Sequence, residues 1–144
     1  MISYQELNAQ TDKITELSNV LSVLLKDRTI CDSETCCKIF YNYMDHVNEH
    51  MQLVESNMYP TLLNNSLPDA KKTASNFMGS SQGIKQIMTS YIKKWCDKKH
   101  QGLSIGAKYD EFIKDTDEMF ETILNRIQDE TENLYPMVRK ISNG

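Results

Sequence analysis

Apolar residues recur at spacings of three and four along nearly the whole chain, and that periodicity favours helices over every other element. Leu7, Ile14, Leu17, Leu21 and Leu24 form a first stripe. Phe40, Met44, Val47, Met51, Val54 and Met58 form a second, and Phe77, Ile84, Met88, Tyr91 and Trp95 a third. Phe120, Ile123, Ile127, Leu134, Val138 and Ile141 complete a fourth. No segment alternates with a period of two for long enough to read as a strand. Only five Gly and three Pro punctuate the 144 residues, so turns are few and elements long.

Three polar breaks separate the stripes. Asp27 to Ser33 is the first, with Ser33 placed to cap the second helix and Glu34 in its first turn. Asn64 to Pro68 is the second, with Pro68 suited to a first helical turn. Gly102 to Gly106 is the third. The expected helices are about 3–26, 33–63, 68–99 and 106–141, in one domain over residues 1–144. Connections this short force neighbouring helices to run antiparallel, so the expected fold is all-α, an up-down-up-down antiparallel four-helix bundle.

Charge is unevenly distributed. Residues 1–68 hold four Lys/Arg and nine Asp/Glu, residues 69–100 seven Lys and two Asp, and residues 101–144 five Lys/Arg and nine Asp/Glu. A basic helix between acidic neighbours pairs with them along its edges. The net charge of −4 disfavours a nucleic-acid partner, because long-range attraction to phosphate needs a positive field. No apolar run approaches the roughly 20 residues that span a membrane. The start of the chain, MISYQELNAQTDK, lacks the basic-then-apolar order of a signal peptide. A cytoplasmic protein with reduced thiols and no membrane partner is expected.

One motif occurs twice. Asn57-Met58-Tyr59-Pro60 and Asn133-Leu134-Tyr135-Pro136 lie 76 residues apart, each deep in a helical pattern, where proline costs roughly 3 kcal/mol. In register, Gln52 matches Gln128, Met51 matches Ile127, and Met58 matches Leu134. The chain here resembles the hemerythrin-like (HHE) family, in which the second and fourth helices tend to carry His-x-x-x-Glu followed by a Leu-Tyr/Phe-Pro ending. The resemblance implies a hemerythrin-like bundle, and it makes His50, Glu55 and Glu130, with His46, the vestigial di-iron positions.

The departures from the family pattern bear on its chemistry. Val54 stands where the second helix should carry a carboxylate, and Arg126 where the fourth should carry a histidine. The first helix offers only Thr11-Asp12-Lys13, and the third only Gly79-Ser80-Ser81-Gln82-Gly83. At about 100° per residue, His50 lies about 80° to one side of the second stripe and Glu55 about 60° to the other. Arg126 and Glu130 read as an i,i+4 surface pair. The expectation is therefore a non-enzymatic bundle with a decayed di-iron site and no cofactor, acting as a protein-binding or regulatory module. The alternative is an iron-binding or oxygen-sensing protein with a reduced ligand set.

Two further groupings of metal-ligating side chains stand out. His46 and His50 could chelate an ion from one helix face, although two histidines at the core edge is the plainer reading. Cys31, Cys36 and Cys37 share one end of the expected bundle with Cys96 and His100, which suggests a zinc or thiol-based sensor as a second alternative. The spacing lacks the usual paired cysteines, and ordinary thiols filling core gaps is the plainer reading. The Gly79–Gly83 run removes bulk from a helix. Either the helix bends there, or a large neighbouring side chain fills the room, or the helix contact tightens, the last being the plainest.

Overall fold

The computed structural model describes residues 3–143. The fold is all-α, built on four long helices: α1 (Tyr4–Leu24), α2 (Glu34–Asn57), α4 (Pro68–Trp95) and α5 (Tyr109–Asp129). A short α3 (Tyr59–Leu63) follows α2, and α5 runs through a π turn (Glu130–Leu134) into α6 (Tyr135–Asn143). Ser3 caps α1 by accepting from the Glu6 N–H at 3.1 Å, and Ser33 caps α2 by accepting from the Cys36 N–H at 3.3 Å. Each satisfies a backbone donor that the first turn leaves without a partner. Pro68 opens α4, where its missing N–H costs nothing.

The third and fourth expected helices are shorter at their facing ends. α4 stops at Trp95 because the chain turns extended at Cys96. Cys96–Asp97 (β1) then pairs antiparallel with Gly102–Leu103 (β2), matching Cys96 to Leu103 and Asp97 to Gly102. Gln101 takes a positive φ of 50° in the turn between them. The loop is held by Ser104 N–H donating to the Trp95 carbonyl at 2.7 Å, and Tyr109 donates its hydroxyl to the Leu25 carbonyl at 2.8 Å.

The paired Tyr-Pro motifs have different local outcomes. At the first, α2 ends at Asn57, Met58 carries the break, and Pro60 enters the first turn of α3. At the second, the helix does not stop. The π turn lets the Tyr135 N–H reach the Glu130 carbonyl, and Pro136 follows in the opening turn of α6. One proline is placed by restarting the helix and the other by widening it.

The apolar core falls into two clusters. The larger joins α1, α2, α4 and α5 around Phe40, Tyr43, Tyr91, Trp95, Phe112 and Phe120. The smaller gathers Leu7, Val54, Leu62, Phe77, Leu134 and Val138 where α3 and α6 meet. Along every long helix the boundary between them falls at the same level: Leu7 to Ile14, Met51 to Val54, Phe77 to Ile84 and Ile123 to Leu134. Around that boundary the buried side chains Thr11, His50, Ser81, Arg126 and Glu130 are polar.

α4 passes through Gly79–Gly83 without a break. The plain expectation of a tightened contact is not met at the glycines. A Cβ added at Gly79 or Gly83 would meet nothing within 4 Å. Gly83→Ala should therefore raise stability by about 0.5–1 kcal/mol, since it keeps the helix and removes freedom from the unfolded chain. Chemical denaturation of the variant beside the parent checks this.

Candidate functional site

The gap between the two clusters holds a buried ionic network. His50, on α2, lies with its Nε2 2.6 Å from Glu130 Oε1, and donates to it. Arg126, one turn before Glu130 on α5, donates its Nε–H to Glu130 Oε2 at 2.8 Å. The side chains of His50 and Arg126 are each 3% exposed and that of Glu130 is 0% exposed. The i,i+4 pair expected on the surface is therefore in the core. The stripe of α5 is wide enough to turn both residues inward beside Ile123.

The rest of the guanidinium is also committed. Arg126 Nη1 donates to the Phe77 carbonyl at 3.1 Å, and Nη2 donates to Tyr59 Oη at 2.5 Å and to Ser81 Oγ at 3.0 Å. The guanidinium carbon sits 4.9 Å from the centre of the Phe77 ring. Tyr59 Oη and Ser81 Oγ are 2.6 Å apart, and Tyr135 donates to Glu130 Oε1 at 3.3 Å. The tyrosines of both Tyr-Pro motifs thus serve one network, Tyr59 at its cation and Tyr135 at its anion. Beyond His50, Nδ1 faces the Gln10 amide of α1 at 3.1 Å. That amide can accept from a charged ring or donate to a neutral one.

Burial pushes the Glu130 carboxyl upward. The His50 hydrogen bond, the His50 charge and the Arg126 guanidinium outweigh it and hold the group below the usual carboxylate range. A depressed folded value means stability that is present above the ordinary glutamate range and lost as pH falls toward the folded value. Unfolding free energy should drop between neutral and acidic pH, and Glu130→Gln should flatten that slope. Urea titrations at a series of pH values measure both. Asp115, held down by Lys94, adds a smaller contribution of the same sign from a more exposed position.

The other expected positions lie elsewhere. Glu55 pairs with Lys85 at 2.5 Å, with its side chain 31% exposed, and takes no part in the network. His46 is half-buried, a turn before His50, and has no hydrogen bond or ion pair among the described residues. Thr11 is buried, but its hydroxyl donates to the Asn8 carbonyl, and Asp12 is exposed. Among the described residues, no group of three or more His, Cys, Asp or Glu side chains gathers so as to hold a metal ion.

The cysteines are free thiols at the opposite end of the larger cluster. Cys31, Cys36 and Cys37 are buried and Cys96 half-buried. Burial pushes all four thiols up, Cys36 to about 11, so at neutral pH they are protonated and poor nucleophiles. His100 turns away to bond Asp97 at 2.8 Å, with its side chain 72% exposed.

The sequence places His50 and Glu130 on the second and fourth expected helices but does not reveal Gln10 and Tyr135 as their partners, nor Tyr59 and Ser81 as partners of Arg126. One signal was available. Ser81 occupies a seam position where leucine is expected, and a small hydroxyl on a seam makes room for a large polar neighbour. Comparison with family models, with curated proteins and with solved structures finds no match to this chain.

Proposed function

We propose that this chain is a non-enzymatic, up-down-up-down antiparallel bundle of hemerythrin-like design whose di-iron site has decayed, and that it serves as a protein-binding or regulatory module. The observation that carries the reading is Arg126. Its guanidinium lies where the helices would converge on metal, and it neutralises Glu130 in place of an exchangeable ion. The residues present do not fit a di-iron pair. One imidazole and one carboxylate remain, their ligating atoms are bonded to each other, and a fixed positive charge 2.8 Å from the carboxylate repels a cation.

A protein is the expected partner. Nucleic acid is disfavoured by the net charge of −4, and among the described residues no helix is long and apolar enough to cross a membrane. The network itself is enclosed between apolar clusters, so recognition falls to the outer helix faces.

Metal analysis tests the reading. The protein is purified without chelator and assayed for iron and zinc beside an absorption spectrum. Metal-free protein is the expected result. About two irons per chain with a charge-transfer band would overturn the proposal in favour of an oxygen- or iron-binding protein. One zinc per chain, lost when Cys31 and Cys96 are replaced, would favour the cysteine end as a sensor.

A further inference from the structure

α4 is flanked by a cleft on each side, and the two differ. Toward α2, the Glu55–Lys85 ion pair crosses the space and lines the cavity on either side of it. Toward α5, the Tyr91 and Thr116 hydroxyls meet at 2.6 Å beneath the cleft, and the cross-helix contacts nearer its rim stand at the ends among the described residues. At one end Lys94 bonds Glu111 and Asp115 at 2.6 and 2.9 Å, and at the other Arg126 reaches Ser81 and the Phe77 carbonyl. From Ser81 to Lys94 is thirteen residues, about 20 Å of helix at 1.5 Å per residue. Cavities of about 630 and 290 Å³ share Gly83, Ile87 and Thr122, so the trough is continuous.

The trough has an apolar floor and an acidic wall. Gly83 and Ser90 leave it open on the α4 side, and a Cβ at Gly83 would meet nothing. Ile87 stands 43% exposed beside the buried Met119. A lone exposed isoleucine needs no explanation, but one set in an unfilled trough does. On the α5 side, Asp115, Glu118 and Asp129 line the rim. α5 carries seven Asp/Glu against Lys114 and Arg126, and Arg126 is spent on Glu130. Of the rim carboxylates only Asp115 has a cation, Lys94, among the described residues.

We propose that the α4/α5 trough docks a basic amphipathic helix of a partner protein. Its apolar stripe would seat on Ile87 and Met119, and its Lys or Arg side chains would pair with the α5 rim. The length suits about three and a half turns, which is helix-in-groove recognition with anchors at i, i+3/i+4 and i+7. The charge complement speaks for this occupant over an acidic one, because like charges facing each other across an interface are repelled. This inference rests on the reading of the chain as a protein-binding module and adds the place and the chemistry of the partner.

The test uses two labelled fourteen-residue helical peptides with the same leucine stripe, one with lysine and one with glutamate on its polar face. Binding is read by fluorescence anisotropy and located by amide chemical-shift changes in the full chain. The lysine peptide should bind at least tenfold more tightly than the glutamate peptide, weaken with added salt, and shift amides around Gly83, Ile87 and Met119. Gly83→Leu fills the trough and Ile87→Glu charges its floor. Neither position is buried, and each substitution should reduce affinity at least tenfold. Equal binding of the two peptides, shifts centred on α2, or affinity unchanged in both variants overturns the proposal. So does a dimer that Ile87→Glu converts to monomer, since the occupant would then be a second copy. Co-purification from the native host separates this from the broader reading. A protein retained equally by the parent and Gly83→Leu leaves the binding module standing and removes the trough.

Discussion

Replacing Arg126 with alanine should lower the free energy of unfolding by about 3–5 kcal/mol, the expected cost of removing one member of a buried ionic network. Glu130 is fully buried, and without the guanidinium its Oε2 has no donor among the described residues. Tyr59 Oη, Ser81 Oγ and the Phe77 carbonyl would also each lose a donor. Lysine should not rescue the loss, because one ammonium cannot reproduce a planar fork reaching four acceptors. A different outcome is expected when the ionic groups are removed together. A triple variant, His50→Leu, Arg126→Met and Glu130→Leu, should be near neutral or more stable, since buried ion pairs recover little beyond their own desolvation. Urea denaturation of single and triple variants distinguishes the two. A loss below about 1 kcal/mol for Arg126→Ala would mean that water reaches Glu130 and that the network is not closed.

Ser81→Leu should cost about as much, by a different route. Leucine fits the helical pattern and the apolar seam, so sequence alone would score it as an improvement. In the structure that space is filled from outside by Tyr59 Oη at 2.6 Å and Arg126 Nη2 at 3.0 Å. An isobutyl group there would overpack a filled region, costing about 1–3 kcal/mol. It would also remove an acceptor from a charged donor, which adds about 1.5–3 kcal/mol. Gly83→Ala, two residues on, should have the opposite sign. Thermal unfolding of the pair is a compact check, because both changes enlarge a small residue in the same helix. Equal shifts in Tm would show that α4 does not distinguish its two faces as described.

The helices were legible because their apolar spacing is regular, and the starts of α2 and α4 because Ser33 and Pro68 announce them. The end of α4 was not, since Cys96 and Asp97 owe their extended state to a pairing with Gly102 and Leu103 that no local signal carries. The candidate site was half legible. Register placed His50 and Glu130 on the right helices, but angles measured on separate helices do not say which edges face each other. Arg126 read as a surface residue because arginine is seldom fully buried unless paired. Its partners come from α3 and α4 as well as the π turn, and only tertiary structure brings those together.

The π turn sets the phase of the chain's last element. Buried positions 126, 130, 134 and 138 are spaced by four three times over, twelve residues in all. An α-helix of that length would have drifted about 120° past three full turns. The widened turn takes up one residue of that drift, so Leu134 and Val138 stay on the side that faces the smaller cluster. Inserting one further residue between 131 and 132, both exposed, would rotate everything after it by about 100°. Tyr135 would leave Glu130 and Val138 would leave the core, although no buried side chain had been touched. In this segment the number of residues, more than their identity, decides which way the end of the protein faces.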